Sequence, residues 1–251
     1  MNNQKPDLTG KVAIVTGGSR GLGQQMCLAF AEAGADVVVA SRKFEACEAV
    51  AAQVRERGRR ALPVAAHLGR WEDANMLAEK AYDEFGKVDV LVNNAGKSPL
   101  YPSLGEIDEG YMDAVLGLNF KVPFRLAVLV GERMKADRGG SIINISSVNS
   151  YKPDTFSLPY SAAKAALNVM TQGLAEALGP NVRVNAIAPG GFETDIATNW
   201  PAGVRERLES ITSLNRTAQP SEIVGPALFL ASDMSSYVTG TLLRADGGVI
   251  G

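Results

Sequence analysis

The sequence predicts an α/β chain built on one open, doubly wound parallel sheet with helices on both faces, and three observations carry that reading. Short runs rich in Val and Ile are apolar throughout rather than alternating, as strands buried on both faces are. Longer segments of helical period separate them. Glycine-containing turns follow the first, fourth and sixth runs, at the carboxyl ends where such a sheet opens its ligand crevice.

Strands are expected at 12–16, 37–40, 62–66, 88–93, 141–146, 182–188 and 241–243. Two of the intervening helices are long, 109–135 and 160–178, and the second carries the small residues Ala162, Ala163, Ala165 and Ala166 that permit close helix approach. No low-complexity linker or internal repeat divides the chain, so residues 1–251 are expected to form a single domain. The polar segment 194–215, with Pro201 and Gly203, is expected either to lie over the crevice as a mobile lid or to be a plain surface excursion.

A formal net charge of −2 over 251 residues offers neither a nucleic-acid surface nor a polybasic membrane patch, so the expected partners are small molecules. Cys27 and Cys47 sit in helical, apolar-periodic segments without metal-ligand spacing, and read as reduced packing residues of a cytoplasmic protein. The polar opening Met1 to Asp7 does not read as a targeting segment, and no apolar stretch approaches the roughly 20 residues of a membrane span.

Chemistry enters with Tyr160 and Lys164, four residues apart and therefore side by side on one helical face. A cation there favours the phenolate. Taking a tyrosine from about 10 to neutrality needs roughly 4 kcal/mol, within reach of a desolvated ammonium and beyond an exposed one. The pair therefore belongs in a pocket.

A second site is written in the turn Thr16 to Gly23. Gly17, Gly21 and Gly23 allow a tight turn and close backbone approach, and the helix that follows offers its first amides to a phosphate; Ser19, Arg20 and Leu22 belong to the same turn. The second strand ends in Ser41, Arg42 and Lys43, with no carboxylate before Glu45, where an acidic residue would bind a ribose 2′-hydroxyl. With Arg20 as a second guanidinium, that charge favours a 2′-phosphate, hence NADP(H) over NAD(H). Asn94, Ala95 and Gly96 after the fourth strand, and Pro189 and Gly190 after the sixth, are expected to line the same ligand.

Over residues 10–248 the chain resembles the short-chain dehydrogenase/reductase family, and its 3-oxoacyl-reductase-like branch in particular. The likeness rests on Thr16, Gly17, Gly21 and Gly23, on Asn93 to Gly96, on Asn119, Ser147, Tyr160 and Lys164, on Pro189, Gly190 and Thr194, and on Asp246, Gly247 and Gly248. The resemblance implies a Rossmann-type sheet of strand order 3-2-1-4-5-6-7 and hydride transfer between a nicotinamide and a carbonyl or secondary alcohol. It implies that Tyr160 is the general acid/base, that Ser147, rather than its neighbour Ser146, hydrogen-bonds the reacting oxygen, and that Lys164 holds the nicotinamide ribose. Phe192 and Thr194 would complete the cofactor site. The family's usual aspartate after the third strand is replaced by His67, followed by Leu68, which would meet the adenine. Asn119 would hold a relay water on its carbonyl, which Pro123, lacking an N–H, leaves free within a helix.

Substrate candidates are Lys97, Ser98, Leu100, Tyr101, Asn149, Tyr151, Phe156, Ile196 and Trp200, which leave a 3-oxoacyl thioester, a cyclic ketone, a sugar and a steroid open. The resemblance also implies a homotetramer, or a homodimer, through the two long helices. A non-catalytic NADP-binding sensor on the same fold is the rival class of function.

Overall fold

A computed structural model describes residues 5–195, 197 and 203–249. In chain order the elements are β1 (Val12–Thr16), α1 (Gly21–Glu32), β2 (Asp36–Ser41), α2 (Phe44–Glu56), β3 (Ala61–Ala65), α3 (Trp71–Phe85) and β4 (Val90–Asn93). There follow α4 (Glu109–Leu116), α5 (Val122–Ala136), β5 (Gly140–Ile145), α6 (Leu158–Leu178), β6 (Val182–Pro189), α7 (Val204–Ser210), α8 (Val224–Ala231) and β7 (Leu242–Ala245). The strands form one sheet in the order β3-β2-β1-β4-β5-β6-β7. Every pairing is parallel.

Alternation along each strand builds two cores from continuous apolar runs. Ala13 and Val15 of β1, Val37 and Val39 of β2, and Ile143 and Ile145 of β5 face α1, α2 and α8, where Met26, Phe30, Val50 and Leu230 bury. Their neighbours Ile14, Val38 and Ile142 face α3, α5 and α6, packing with Leu77, Leu126 and Leu167. Pro63 sits in β3, an edge strand, where a missing N–H costs no ladder bond.

The strand ends differ from expectation for local reasons. β4 begins at Val90 rather than 88; just before it the Asp89 carboxylate, paired with Lys87 at 3.0 Å, accepts the Val12 N–H at 2.8 Å. The expected helix at 109–135 is a 28-residue helical unit, α4 and α5 joined through a π turn at Gly117–Lys121. There Pro123 cannot donate to the Asn119 carbonyl, and Val122 N–H bonds back to Gly117. This unit is long and apolar enough to cross a membrane by length and composition, but half of its most apolar window is buried, and α5 packs on α3 and α6.

A buried polar chain ties β4, β5 and α6 together. Asn93 Nδ2 donates to Asn144 Oδ1 at 2.9 Å, Asn144 Nδ2 donates to Thr171 Oγ1 at 2.9 Å, and Thr171 donates to the Leu167 carbonyl at 2.8 Å. Removing its middle member strands a donor and an acceptor away from water. Asn144→Ala is therefore expected to lower the unfolding free energy by about 2–4 kcal/mol in urea titration, and a change within about 0.5 kcal/mol would show that the chain carries no weight.

Candidate active site

The carboxyl ends of the seven parallel strands lie along one edge of the sheet, and strand order reverses between β1 and β4, opening a crevice beyond Thr16 and Asn93. Thr16 locks that opening. Its hydroxyl donates to the Val92 carbonyl at 3.1 Å and accepts the Asn94 and Ala95 N–H groups at 2.8 and 3.0 Å. Asn94 Nδ2 in turn donates to the Thr16 carbonyl at 2.8 Å.

The glycine turn has no room for side chains. Gly17 lies at φ +65°, and a Cβ on Gly23 would stand 2.2 Å from the Gly17 carbonyl oxygen and 2.7 Å from Asn94 Nδ2. Arg20 caps α1 without a side-chain hydrogen bond, and no acidic residue occupies the first turn, so the helix start keeps amides and positive dipole for an anion. Thr194 faces it across the crevice, its methyl 3.5 Å from the position a Gly21 Cβ would take. Leu22 packs against the core. Pro189 ends β6, and Gly190 abuts Asp246 so closely that a Cβ would lie 2.8 Å from its Cα. Phe192 is buried and pairs with Ala218 through an isolated bridge.

At the end of β2 the Ser41 hydroxyl accepts a hydrogen bond from Ser19 at 2.9 Å, and Arg42 and Lys43 are exposed. Arg20 is exposed too and meets Asp195 at 3.5 Å. After β3, His67 is exposed with its backbone N–H on Asp73 at 2.6 Å, while Leu68 turns into the core. This cradle of glycines, helix-start amides and exposed surface cations suits a dinucleotide phosphate backbone.

The second half of the site hangs on β5. Lys164 is 3 % exposed, and its ammonium donates to the Ile145 carbonyl at 2.7 Å. Burial pushes its pKa down to about 7. Ser147, also buried, lies beside the Tyr160 hydroxyl and accepts the Asn149 N–H at 3.1 Å. Ser146 points elsewhere, donating to Asn168 Oδ1 at 2.6 Å, so the strand separates the two serines as alternation requires. Asn119 is fully buried; its Nδ2 donates to the carbonyls of Lys97 and Val115, both at 2.9 Å. Gly96 lies between Asn119 and Lys164, where a Cβ would meet Asn119 Oδ1 at 2.9 Å and Lys164 Nζ at 3.6 Å.

One expectation is corrected. Lys164 does not acidify Tyr160 here: burial raises the phenol above its ordinary value, the Ser147 hydrogen bond lowers it, and the Asp154 charge raises it. The reason is geometric, because the ammonium stands over the ring, 5.7 Å from its centroid, and is itself desolvated.

Around the mouth, Lys97, Ser98, Leu100 and Phe156 are exposed, and Asn149 is turned into a local network with Asp154 and Ser157. Ile196, Trp200 and Pro201 lie outside the described residues. Within 194–215, α7 follows Gly203, and Leu208 approaches Gly191. Sequence reasoning missed a link between the Ser147 turn and the C-terminal turn. The Tyr151 hydroxyl donates to Asp246 Oδ2 at 2.5 Å, and Arg244 pairs with the same oxygen at 2.7 Å while stacking on the Tyr151 ring. Gly247 and Gly248 then accept the Leu214 and Ser213 N–H groups, tying the base of the 194–215 segment to it.

Comparison with known proteins agrees with this arrangement. Residues 11–205 match the short chain dehydrogenase family. An uncharacterised oxidoreductase of Mycobacterium tuberculosis is 42 % identical over 245 residues, covering 96 % of this chain and 93 % of that protein. The 3-oxoacyl-[acyl-carrier-protein] reductase FabG of Thermotoga maritima is 36 % identical over 246 residues, 97 % of this chain and 99 % of its own. Among solved structures, a 7α-hydroxysteroid dehydrogenase complexed with NADH and 7-oxo glycochenodeoxycholic acid superposes with a TM-score of 0.93 at 32 % identity, covering 100 % of this chain and 98 % of that one.

The buried ammonium has a measurable consequence. Because the folded pKa of Lys164 is depressed to about 7, the unfolded chain binds the extra proton between that value and the ordinary lysine range, and stability rises with pH across this window. Lys164→Met is expected to be more stable than the wild type near neutrality by roughly 2–4 kcal/mol, with the gap closing towards about pH 10. Urea titrations showing a pH-independent gap would contradict the buried charge.

Proposed function

We propose that this chain, which belongs to the short-chain dehydrogenase family, is an NADP(H)-dependent oxidoreductase interconverting a carbonyl, in a ketone, aldehyde or 3-oxoacyl group, and an alcohol. The observation that carries the reading is the convergence of Ser147, Tyr160 and buried Lys164 at the end of β5, on the same sheet edge as the glycine turn. A bound nicotinamide dinucleotide supplies or accepts the hydride. Gly17, Gly21, Gly23 and the α1 amides would hold its phosphates, Asn94 to Gly96 and Pro189 to Thr194 its nicotinamide half, and His67 and Leu68 its adenine. The exposed Arg42 and Lys43, with Ser41 in place of a carboxylate, support NADP(H) over NAD(H).

In the reducing direction Tyr160 gives its hydroxyl proton to the carbonyl oxygen, and Ser147 donates a hydrogen bond to the same oxygen as negative charge develops there. Lys164 holds the ribose and stabilises the phenolate that remains. The Asn119 carbonyl, freed by Pro123, anchors a water through which Lys164 exchanges protons with solvent. Catalysis therefore needs the tyrosine to become acidic when the cofactor is in place, since burial alone holds it high. The segment 194–215 serves as the lid of this single domain.

The two reduced, buried cysteines fit a cytoplasmic protein. Assembly as a homotetramer is supported by α6. Ala163 lies in the core, but Ala162 is exposed, Val169 is 70 % exposed, and Phe124 of the contacting helix α5 is exposed too. A solution-scattering mass near four chains is expected, and a monomeric mass removes this part of the reading.

The activity itself is tested by NADPH and NADH oxidation with a panel of ketones, aldehydes, diketones and 3-oxoacyl thioesters. Turnover faster with NADPH is expected, lost by at least about a hundredfold in Tyr160→Phe while NADPH binding by fluorescence persists. Equal turnover in Tyr160→Phe would defeat the assignment, and NADPH binding with no biological effect of that substitution would favour a sensor.

A further inference from the structure

We propose that Tyr101 is a positioning residue that caps the catalytic helix from the opposite wall of the cleft, a role that rests on Tyr160 being the proton donor. The need for such a residue follows from counting the amides of the first turn of α6. A helix start leaves its first N–H groups without intrahelical partners. Pro159 has no N–H, and Ser161 N–H is satisfied by the Ser157 carbonyl at 2.9 Å, which leaves Leu158 and Tyr160.

Ser157 occupies the cap position but makes no capping hydrogen bond. Its hydroxyl is diverted, donating to Asp154 Oδ1 at 3.0 Å and accepting from Asn149 Nδ2 at 3.0 Å. The hydroxyl of Tyr101 serves a different amide of the same turn, the first one of the helix. It accepts the Leu158 N–H at 3.2 Å and donates to the Thr155 carbonyl at 2.7 Å, so both of its capacities are spent on the approach to α6.

Tyr101 is itself held from behind. Its ring meets Tyr111 of α4 edge to face, with centroids 5.9 Å apart, and the Tyr111 hydroxyl donates to the Pro99 carbonyl at 2.6 Å. Asn119 grips the same strap through the Lys97 carbonyl at 2.9 Å. The strap 97–101 therefore connects the helical unit carrying Asn119 to the first turn carrying Tyr160. Tyr160 is the third residue of α6, two positions beyond the capped amide, so a loosened first turn passes directly to the phenol.

The test is Tyr101→Phe in the full-length protein, which keeps the ring contact with Tyr111 and removes only the hydroxyl. Two readouts are taken. Amide hydrogen exchange at Leu158 is expected to speed up about fivefold, the weight of one helix cap, with Leu174 inside α6 unchanged. With the panel compound that the wild type reduces fastest, kcat is expected to fall about ten- to a hundredfold at constant KM and constant NADPH affinity, because the donor is misplaced rather than the ligands lost. Unchanged exchange at Leu158 overturns the cap whatever the activity. Faster exchange with unaltered kcat, or a loss confined to KM, overturns the positioning role. A wild type whose turnover does not depend on Tyr160 overturns the proton-donor reading and the positioning role with it, while the exchange result still decides the cap.

Discussion

A single ammonium, that of Lys164, lies almost out of reach of water at the end of a parallel strand, held by one main-chain carbonyl. Burying a charge is expensive unless something compensates it, and here the compensation is partial, as the depression of its pKa to about 7 records. The surrounding architecture exists around that position. Ile145 can turn its carbonyl to the lysine because β5 ends there, Ser146 and Ser147 diverge because strand alternation sends them to opposite sides, and Gly96 is bare because a side chain would run into Asn119. A ligand bringing oxygen acceptors to Lys164 relieves the deficit, which links cofactor affinity to the cost of burying the lysine.

The two halves of the site are rigid for different reasons. The glycine side is rigid by exclusion: backbone packs on backbone at Gly23, and Thr16 and Asn94 fasten the two turns by hydrogen bonds to main chain. The catalytic side is rigid by polar networks in which few hydroxyls act alone. Ser147 joins Asn149, Ser157 joins Asn149 and Asp154, and Asp246 joins Tyr151 and Arg244. Such networks cost little when every member is satisfied and fail together when one is not.

The sheet was readable because strands buried on both faces need uninterrupted apolar runs, and the register of Ile14 against Val38 and Leu91 follows from those runs lying parallel. The π turn was readable in part from Pro123, whose missing N–H forces the helix to find another pattern. The Tyr160–Lys164 neighbourhood and the glycine turn depend on short spacings along the chain, whereas Asn119 and Ser147 were legible only through the family resemblance. What was not readable depends on partners far apart in sequence: Tyr101 with Leu158, Tyr151 with Asp246, and Asn93 with Asn144 have no local signature. The direction of the Tyr160 shift was misjudged for a related reason. Helical spacing places Lys164 beside the tyrosine but does not say whether the charge meets the hydroxyl or the ring, and it meets the ring.

Burial holds Tyr160 high, and the proposed chemistry requires that it turn acidic only when the site is filled. The most direct measurement is an NMR titration of ring-labelled tyrosine, with Tyr160 assigned by its loss in Tyr160→Phe, in the presence and absence of NADP⁺. A pKa above the ordinary tyrosine value is expected in the free protein, with a fall below it when NADP⁺ is bound. The same titration in both states would contradict it.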